Sequence, residues 1–99
     1  MKSIPFSTVR ANYANTQSEG HWFDRSSMSF FKTVLPANAY QTNAGVMFVT
    51  RETNPEGDKR FSVRAQKSDG RIDSVGEFHS YLTAADARAE IKRLDKETA

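Results

Sequence analysis

The chain has 99 residues, with 14 basic and 12 acidic side chains that leave a formal net charge of +2. This length suits one domain with one core and is too short for a deep cleft between lobes. The absence of cysteine excludes disulfides, thiolate catalysis and zinc sites built on sulfur. The mild positive charge allows contact with nucleic acid without requiring it. No run approaches the roughly 20 apolar residues of a membrane span, and no signal-peptide pattern follows Lys2, so we expect a cytoplasmic protein without a membrane partner.

The N-terminal part of the chain divides into a polar arm and a predicted helix. Residues 1–20 are polar with few apolar anchors, so we expect either a loosely packed strand or a flexible lead-in to a single domain at 21–99. Asp24 can accept hydrogen bonds from the free N–H groups of a first helical turn. Apolar residues then recur at helical spacing until Pro36, which disfavours helical geometry in the residue before it. These signals predict a short helix over 25–34.

Strand and turn signals alternate along the middle of the chain. Val46 begins a run of β-branched and aromatic residues, and the run from Lys59 to Gln66 alternates between polar and apolar side chains. Turn-forming residues separate these runs, and Gly76 marks a bulge or a bend in the last one. The predicted strands are 39–42, 46–51, 59–66 and 71–78, and the predicted turns are 43–45, 54–58 and 68–70.

The C-terminal segment carries clear helix signals. Thr83 suits the N-cap position, and Asp86 follows three residues later at the spacing of a capping box. Most polar residues of this segment lie away from its apolar stripe. That stripe consists of Ala84, Ala87, Ile91 and Leu94.

Together these elements predict an α+β fold, with a short N-terminal helix, a three- to four-stranded antiparallel meander and a C-terminal amphipathic helix packed on one sheet face. An antiparallel sheet commonly buries one face and exposes the other. We therefore expect one face of the strand at 59–66 to meet the helix, and the other to be open to solvent or a partner. The covered face carries Phe61, Val63 and Ala65, and the open face carries Arg60, Ser62, Arg64 and Gln66.

The sequence offers little support for catalysis or metal binding. His21 and His79 are the only histidines, and a metal site would need them together with carboxylates. No Gly-x-Ser-x-Gly motif is present, and the five glycines are scattered singly instead of forming a phosphate-binding loop. We therefore expect a protein that is not an enzyme and that uses no cofactor and no metal.

The candidate binding residues are basic and hydrogen-bonding side chains near the strands. A polar sheet that carries arginines can lie in the major groove of DNA and read base edges. Acidic residues on the same strands, Glu52, Asp73 and Glu77, weigh against phosphate contact, and an ordinary solvated face is the alternative interpretation. The candidates for contact with nucleic acid or another partner are Arg51, Arg60, Ser62, Arg64, Gln66 and Arg71.

Several short runs between residues 21 and 83 form a distinctive set. They are His21-Trp22-Phe23, Ser27-Met28, Phe30-Phe31, Val46-Met47-Phe48-Val49-Thr50, Phe61-Ser62-Val63-Arg64 and Asp73-Ser74-Val75-Gly76-Glu77-Phe78. With these runs the chain resembles a set of small, uncharacterised proteins carried by bacteriophages and other mobile elements. The resemblance implies an accessory protein made inside a bacterium, and many such proteins bind and block a host or defence machine such as a CRISPR effector.

A second pattern covers residues 60–94 and consists of three strands followed by a helix. It includes Gly76-Glu77-Phe78 and the run from Thr83 to Ala89. This arrangement is similar to the DNA-binding domain of plant ethylene-response factors and to the arm-binding domains of phage integrases. The resemblance implies a sheet that enters the major groove, with Arg60, Arg64 and Arg71 in the place of the arginines of those domains.

The function expected from the sequence is therefore stoichiometric binding. The leading hypothesis is a phage or mobile-element accessory protein, monomeric or homodimeric, that binds a host protein or ribonucleoprotein complex and inhibits it. One alternative is a nucleic-acid-binding protein that uses its sheet face. The other is a component of the virion or of its assembly.

Overall fold

A computed structural model of the chain describes residues 1–12, 32–68, 70, 72–76 and 81–98. Within these ranges the chain forms one antiparallel sheet, whose strands are ordered in space as they are in sequence, and two α-helices. The predicted α+β fold, with an antiparallel meander and a helix packed on it, is confirmed. The elements are β1 (Lys2–Pro5), α1 (Phe6–Asn12), β2 (Asn38–Thr42), β3 (Gly45–Thr53), β4 (Lys59–Gln66), β5 (Ile72–Val75) and α2 (Ala84–Thr98).

The first twelve residues of the polar arm belong to the fold. Strand β1 pairs with β2, which gives the sheet one strand more than predicted. Helix α1 follows at once and buries Phe6 and Val9, and the ring of Phe6 meets that of Phe48 edge to face, with centroids 5.0 Å apart. Two aromatic rings in this arrangement supply much of the apolar area that a small core needs. The rest of the arm, residues 13–20, lies outside the described residues.

The predicted helix at 25–34 falls mostly outside the described residues, but its last part is described and is not helical. Val34 instead exchanges two backbone hydrogen bonds with Arg51 of β3, with N···O distances of 2.8 and 3.2 Å. Strand β2 pairs only with the beginning of β3, so the edge of β3 near Arg51 is open to an extended segment. The prediction was wrong at this end because tertiary pairing satisfies the backbone groups that a helix would otherwise have satisfied.

Strands β3 and β4 form the central hairpin, and their register decides which side chains share a face. The pairing runs from Val46 opposite Gln66 to Thr53 opposite Lys59. The predicted bounds of β4 are confirmed, and the turn at 54–58 closes with Asn54 accepting a hydrogen bond from the Asp58 N–H at 2.8 Å. Side chains of directly paired residues point to the same side of the sheet, so the two faces follow from this register.

One sheet face packs against α2 and is called here the α2 face. Ala87 and Ile91 of the helix are fully buried there, and Leu94 packs beside them. This confirms the predicted covered face of β4 and the predicted apolar stripe of the C-terminal helix. The strand residues in this cluster are Tyr40, Met47, Val49, Phe61, Val63, Ala65 and Val75.

The opposite face, called here the α1 face, is also buried. Its apolar cluster combines Phe6 and Val9 of α1 with Ala39, Phe48 and Ile72 of the sheet. Ile72 and Val75 of β5 therefore point to different faces, which explains why the apolar residues of this strand do not alternate strictly. Gly76, where a bulge or bend was predicted, has a positive φ of 72° directly after the strand.

No helix within the described ranges is long and apolar enough to cross a membrane.

Candidate functional site

The six candidate binding residues do not form one exposed surface. Ser62, Arg64 and Gln66 are buried on the α1 face, with 0%, 5% and 9% of their surface exposed, so the expectation of a solvated face was wrong for them. Arg60 is half-buried on the same face, whereas Arg51 lies on the α2 face. Arg71 lies outside the described residues.

The burial of Arg64 is explained by a polar network on the α1 face. Its guanidinium group forms an ion pair with Glu52, with Nη2 2.7 Å from Oε1, and donates through Nε to the Thr50 hydroxyl at 3.3 Å. Thr50 in turn donates to the Glu52 carboxylate at 2.8 Å, and Ser62 donates to its second oxygen at 3.4 Å. The remaining Arg64 nitrogen donates to Ser74 on β5. Buried charges are tolerated when they are paired and hydrogen-bonded in this way.

The network is held inside the protein and is therefore structural. Burial lowers the pKa of Arg64, and the hydrogen bond and charge of Glu52 act in the opposite direction. Glu52 is fully buried, so neither member of the pair can reach a phosphate or a base edge without leaving the core. Glu52, one of the three acids that weigh against DNA contact in the sequence, is the internal partner of the candidate Arg64.

Gln66 joins the sheet to α1. Its side-chain amide donates to the backbone oxygen of Val9 at 3.0 Å and to that of Gly70 at 3.2 Å. Val9 is one of the last four residues of α1, whose carbonyl groups lack partners within the helix. The amide of Gln66 satisfies one of these groups, which accounts for a buried glutamine without a binding role.

Among the described candidates of the α1 face, Arg60 is the one that is not buried. Its guanidinium group lies 3.8 Å from Asp58 in the adjoining turn and donates to the Lys59 backbone oxygen at 2.9 Å. Both contacts are local and partly exposed, and such pairs contribute little stability. Arg60 alone therefore does not make a basic surface.

The strongest candidate site is a cleft of about 210 Å³ at one end of the α2 face, called here the Arg51–Arg88 cleft. Its floor is formed by strands β3 and β4, one wall by the extended segment that pairs with β3, and the other wall by the first turns of α2. The residues that line it are Val34, Leu35, Pro36, Val49, Arg51, Phe61, Ala84 and Arg88.

The cleft combines apolar side chains with two cations. Across the sheet at this level, Val34 pairs with Arg51, Arg51 with Phe61, and Phe61 with Tyr81. Val34, a branched apolar side chain, is 45% exposed beside the cleft. Within the part of the chain that the structure describes, neither Arg51 nor Arg88 has an ion-pair partner, and no carboxylate lines the cleft. Both guanidinium groups thus keep their hydrogen-bond donors available to a bound group.

Sequence reasoning found only part of this cleft. Arg51 is among the candidates that the sequence gives, but its face depends on strand register, and the register places it on the face opposite to Arg60 and Arg64. Arg88 is not among the sequence candidates, because the sequence shows it only as one of the polar residues of the C-terminal helix. The sequence gives little sign that Arg51 and Arg88 lie together, because their proximity depends on the strand register and on the position of α2 over the sheet.

Metal chemistry finds no support in the described part of the chain, where no three metal-binding side chains come together. The two histidines considered in the sequence, His21 and His79, lie outside the described residues.

The fold and the cleft define a small α+β protein whose five-stranded antiparallel sheet, as described, carries a helix on each face and a basic, apolar cleft beside the longer helix. The chain belongs to DUF7447, a family of unknown function, and the model of this family matches residues 6–92. No curated protein and no solved structure matches the chain significantly.

Proposed function

We propose that this chain is a binding protein, not an enzyme, and that it acts by stoichiometric contact between the Arg51–Arg88 cleft and a partner macromolecule. The observation that carries the proposal is a surface cleft in which two arginines lie beside an apolar floor. Among the described residues, neither arginine has an acidic partner. Arginine and aromatic side chains are enriched at the centre of protein interfaces, and the cleft presents two arginines beside Phe61.

The size of the cleft favours a macromolecular partner over a cofactor. Sites for small molecules usually enclose about 300–1,000 Å³, whereas this cleft holds about 210 Å³. Such a volume accommodates a side chain or a short segment of a larger partner.

The proposed biological setting rests on the sequence resemblance to bacteriophage and mobile-element proteins. In that setting the chain works in the cytoplasm of a bacterial host, where it binds a protein or ribonucleoprotein complex and inhibits a host or defence machine. Inhibition of this kind needs a rigid surface with a few anchoring side chains and no catalytic group, and the cleft provides such side chains.

The two other hypotheses have less physical support. A DNA-reading sheet face would use Arg60, Ser62, Arg64 and Gln66 together with Arg71. Ser62, Arg64 and Gln66 are buried, and Arg71 lies outside the described residues. A virion or assembly role predicts extensive contacts between copies of the chain, and its test is sedimentation.

The proposed function can be tested by affinity isolation from a bacterial lysate with the tagged full-length chain. We expect the wild-type protein to retain a partner in a fixed molar ratio, and the Arg51→Glu/Arg88→Glu variant to lose it because both cations are reversed. The matched control is Arg93→Glu, which changes an exposed arginine of α2 that already pairs with Glu90 and Glu97. Quantitative mass spectrometry of the eluates provides the measurement.

Two results would contradict this function. One is a partner that the cleft variant and the Arg93→Glu control retain equally. The other is the absence of any stoichiometric partner for the wild-type chain under mild conditions.

A further inference from the structure

The chemistry of the Arg51–Arg88 cleft specifies its occupant more closely than the proposed function does. The floor side chains Val49 and Phe61 are only partly buried and carry no polar groups, so they favour contact with an apolar side chain. The two arginines favour an anion, and carboxylates match the planar guanidinium group by accepting two parallel hydrogen bonds. An occupant that satisfies both features carries a carboxylate next to an apolar group.

We infer that the cleft binds an acidic peptide segment of a partner protein, with an apolar side chain on Val49 and Phe61 and carboxylate groups at Arg51 and Arg88. This inference rests on the proposed function and names the class of its partner. Val34 is bridged to Arg51 of β3, and Leu35 and Pro36 follow it along the cleft, so aliphatic side chains to which a peptide side chain can pack border the cleft on this side.

The arrangement favours a peptide over nucleic acid. Binding to a phosphate backbone uses many cations spread along a groove, and single-stranded bases stack on several aromatic rings. Among the described residues, the cleft lining holds two arginines and one aromatic ring, and the other lining residues are aliphatic. Charge complementarity with an acidic partner also agrees with the positive formal charge of the chain, +2.

The inference can be tested by NMR titration of the ¹⁵N-labelled full chain with the peptide acetyl-Glu-Leu-Glu-Leu-amide. We expect saturable shifts of the backbone amides of Val34, Arg51, Phe61 and Arg88. The uncharged analogue acetyl-Gln-Leu-Gln-Leu-amide should bind about tenfold more weakly, because the charge-assisted hydrogen bonds are lost. The analogue acetyl-Glu-Ser-Glu-Ser-amide should also bind more weakly, because it lacks the apolar side chains.

Protein variants separate a role in binding from a role in folding. Arg88→Gln changes an exposed residue of α2 and should weaken binding of the acidic peptide about tenfold without changing the dispersion of the spectrum. Arg93→Gln, on the same helix but outside the cleft, should bind the peptide as the wild type does. Arg51→Gln provides a second variant on the strand side of the cleft.

Several outcomes would overturn the inference. They are equal binding of the Glu and Gln peptides, shifts confined to residues outside the cleft, and saturable binding of a single-stranded oligothymidine at the cleft in place of the acidic peptide. Concentration-dependent self-association that shifts the same amides would overturn it as well, because the occupant would then be a second copy of the chain. A cleft-dependent partner in the affinity isolation combined with no peptide binding would remove the acidic-peptide chemistry and leave the proposed function intact.

Discussion

Among the described residues, Glu52 and Arg64 are the charged side chains that are buried, with 0% and 5% of their surface exposed. The pair is hydrogen-bonded to Thr50, Ser62 and Ser74, so each charged group has partners from two or more strands. Replacement of a complete buried pair by apolar residues is often tolerated, whereas removal of one partner leaves the other charge buried and unpaired. The cost of a single substitution should therefore be large.

We expect Glu52→Ala to lower the free energy of unfolding by about 3–5 kcal/mol, because Arg64 loses its buried counter-ion. Urea denaturation followed by circular dichroism provides the measurement. The matched control is Glu56→Ala, which removes an exposed carboxylate from the β3–β4 turn and should change the free energy of unfolding by less than about 0.5 kcal/mol. Equal stability of the two variants would show that the pair makes no net contribution.

Helix α2 begins as its sequence predicts. Thr83 accepts a hydrogen bond from the Asp86 N–H through its hydroxyl at 3.1 Å, and its backbone oxygen accepts one from Ala87 at 3.2 Å. This is the N-cap interaction expected from the Thr83–Asp86 spacing. Because α2 supplies one wall of the Arg51–Arg88 cleft, the cap also stabilises the position of Arg88.

We expect Thr83→Ala to lower the free energy of unfolding by about 1 kcal/mol, since an N–H group of the first turn loses its acceptor. The control is Thr98→Ala at the exposed other end of α2, where the hydroxyl donates to the Leu94 carbonyl. Thermal or urea unfolding of both variants tests the difference. A loss of stability that is larger for Thr98→Ala would contradict the capping role.

The C-terminal part of α2 is attached to the opposite end of the sheet through Asp95. Its carboxylate accepts a hydrogen bond from the Asn43 N–H at 2.7 Å and lies 3.2 Å from the N-terminal ammonium group. The Asn43 hydrogen bond is the main cause of a lowered Asp95 pKa, and the ammonium group lowers it further. The ionised form is therefore favoured in the folded protein.

A carboxyl group whose pKa is lower in the folded state stabilises the protein above its ordinary pKa, and this stabilisation is lost as the pH falls through the folded value. We expect Asp95→Asn to be less stable than the wild type near neutral pH, and the difference to shrink as the pH falls from about 5 to about 2. Urea midpoints measured across this pH range provide the test. Glu56→Gln is the control, and a pH-independent gap for Asp95→Asn would contradict the electrostatic explanation.

At the scale of whole elements, the sequence predicted correctly the strands and helices whose ends are marked by turn residues or helix caps. The alternation along 59–66 and the cap at Thr83 depend on neighbouring residues only, so β4 and α2 were placed correctly. Helix α1 was missed because it is short and has few apolar residues. Its apolar residues Phe6 and Val9 pack in one cluster with Phe48, a contact that neighbouring residues in the sequence do not indicate. A helix of this length is not stable without tertiary contacts.

Across the whole molecule, the sheet as described is buried by apolar clusters on both faces, one under α1 and one under α2. This differs from the open-faced sheet expected from the sequence and buries Ser62, Arg64 and Gln66, three of the six candidate residues. The functional surface then lies at the margin of the sheet, where the Arg51–Arg88 cleft opens beside α2.

We therefore expect no salt-sensitive binding of duplex DNA by this protein. Fluorescence anisotropy with a labelled duplex at low ionic strength should stay flat, because Ser62, Arg64 and Gln66 cannot reach the groove. Arg60→Ala is the informative variant, since Arg60 is the partly exposed arginine of that face and its removal leaves the Glu52–Arg64 pair intact. Tight binding that falls with added salt and with Arg60→Ala would restore the DNA hypothesis.

The sequence by itself determined the α+β class, the central hairpin and the side of β4 that meets the C-terminal helix, because period-two alternation, turn residues and helix caps act over a few neighbouring residues. Only the tertiary structure decided that Arg64 is a core residue and Arg51 a surface one. Both are arginines on adjacent strands, but their environments differ. Glu52 pairs with Arg64, whereas Arg51 lines a cleft in which no described residue is a carboxylate. Whether a charge is buried depends on partners brought together by strand register and helix packing, which no local pattern encodes.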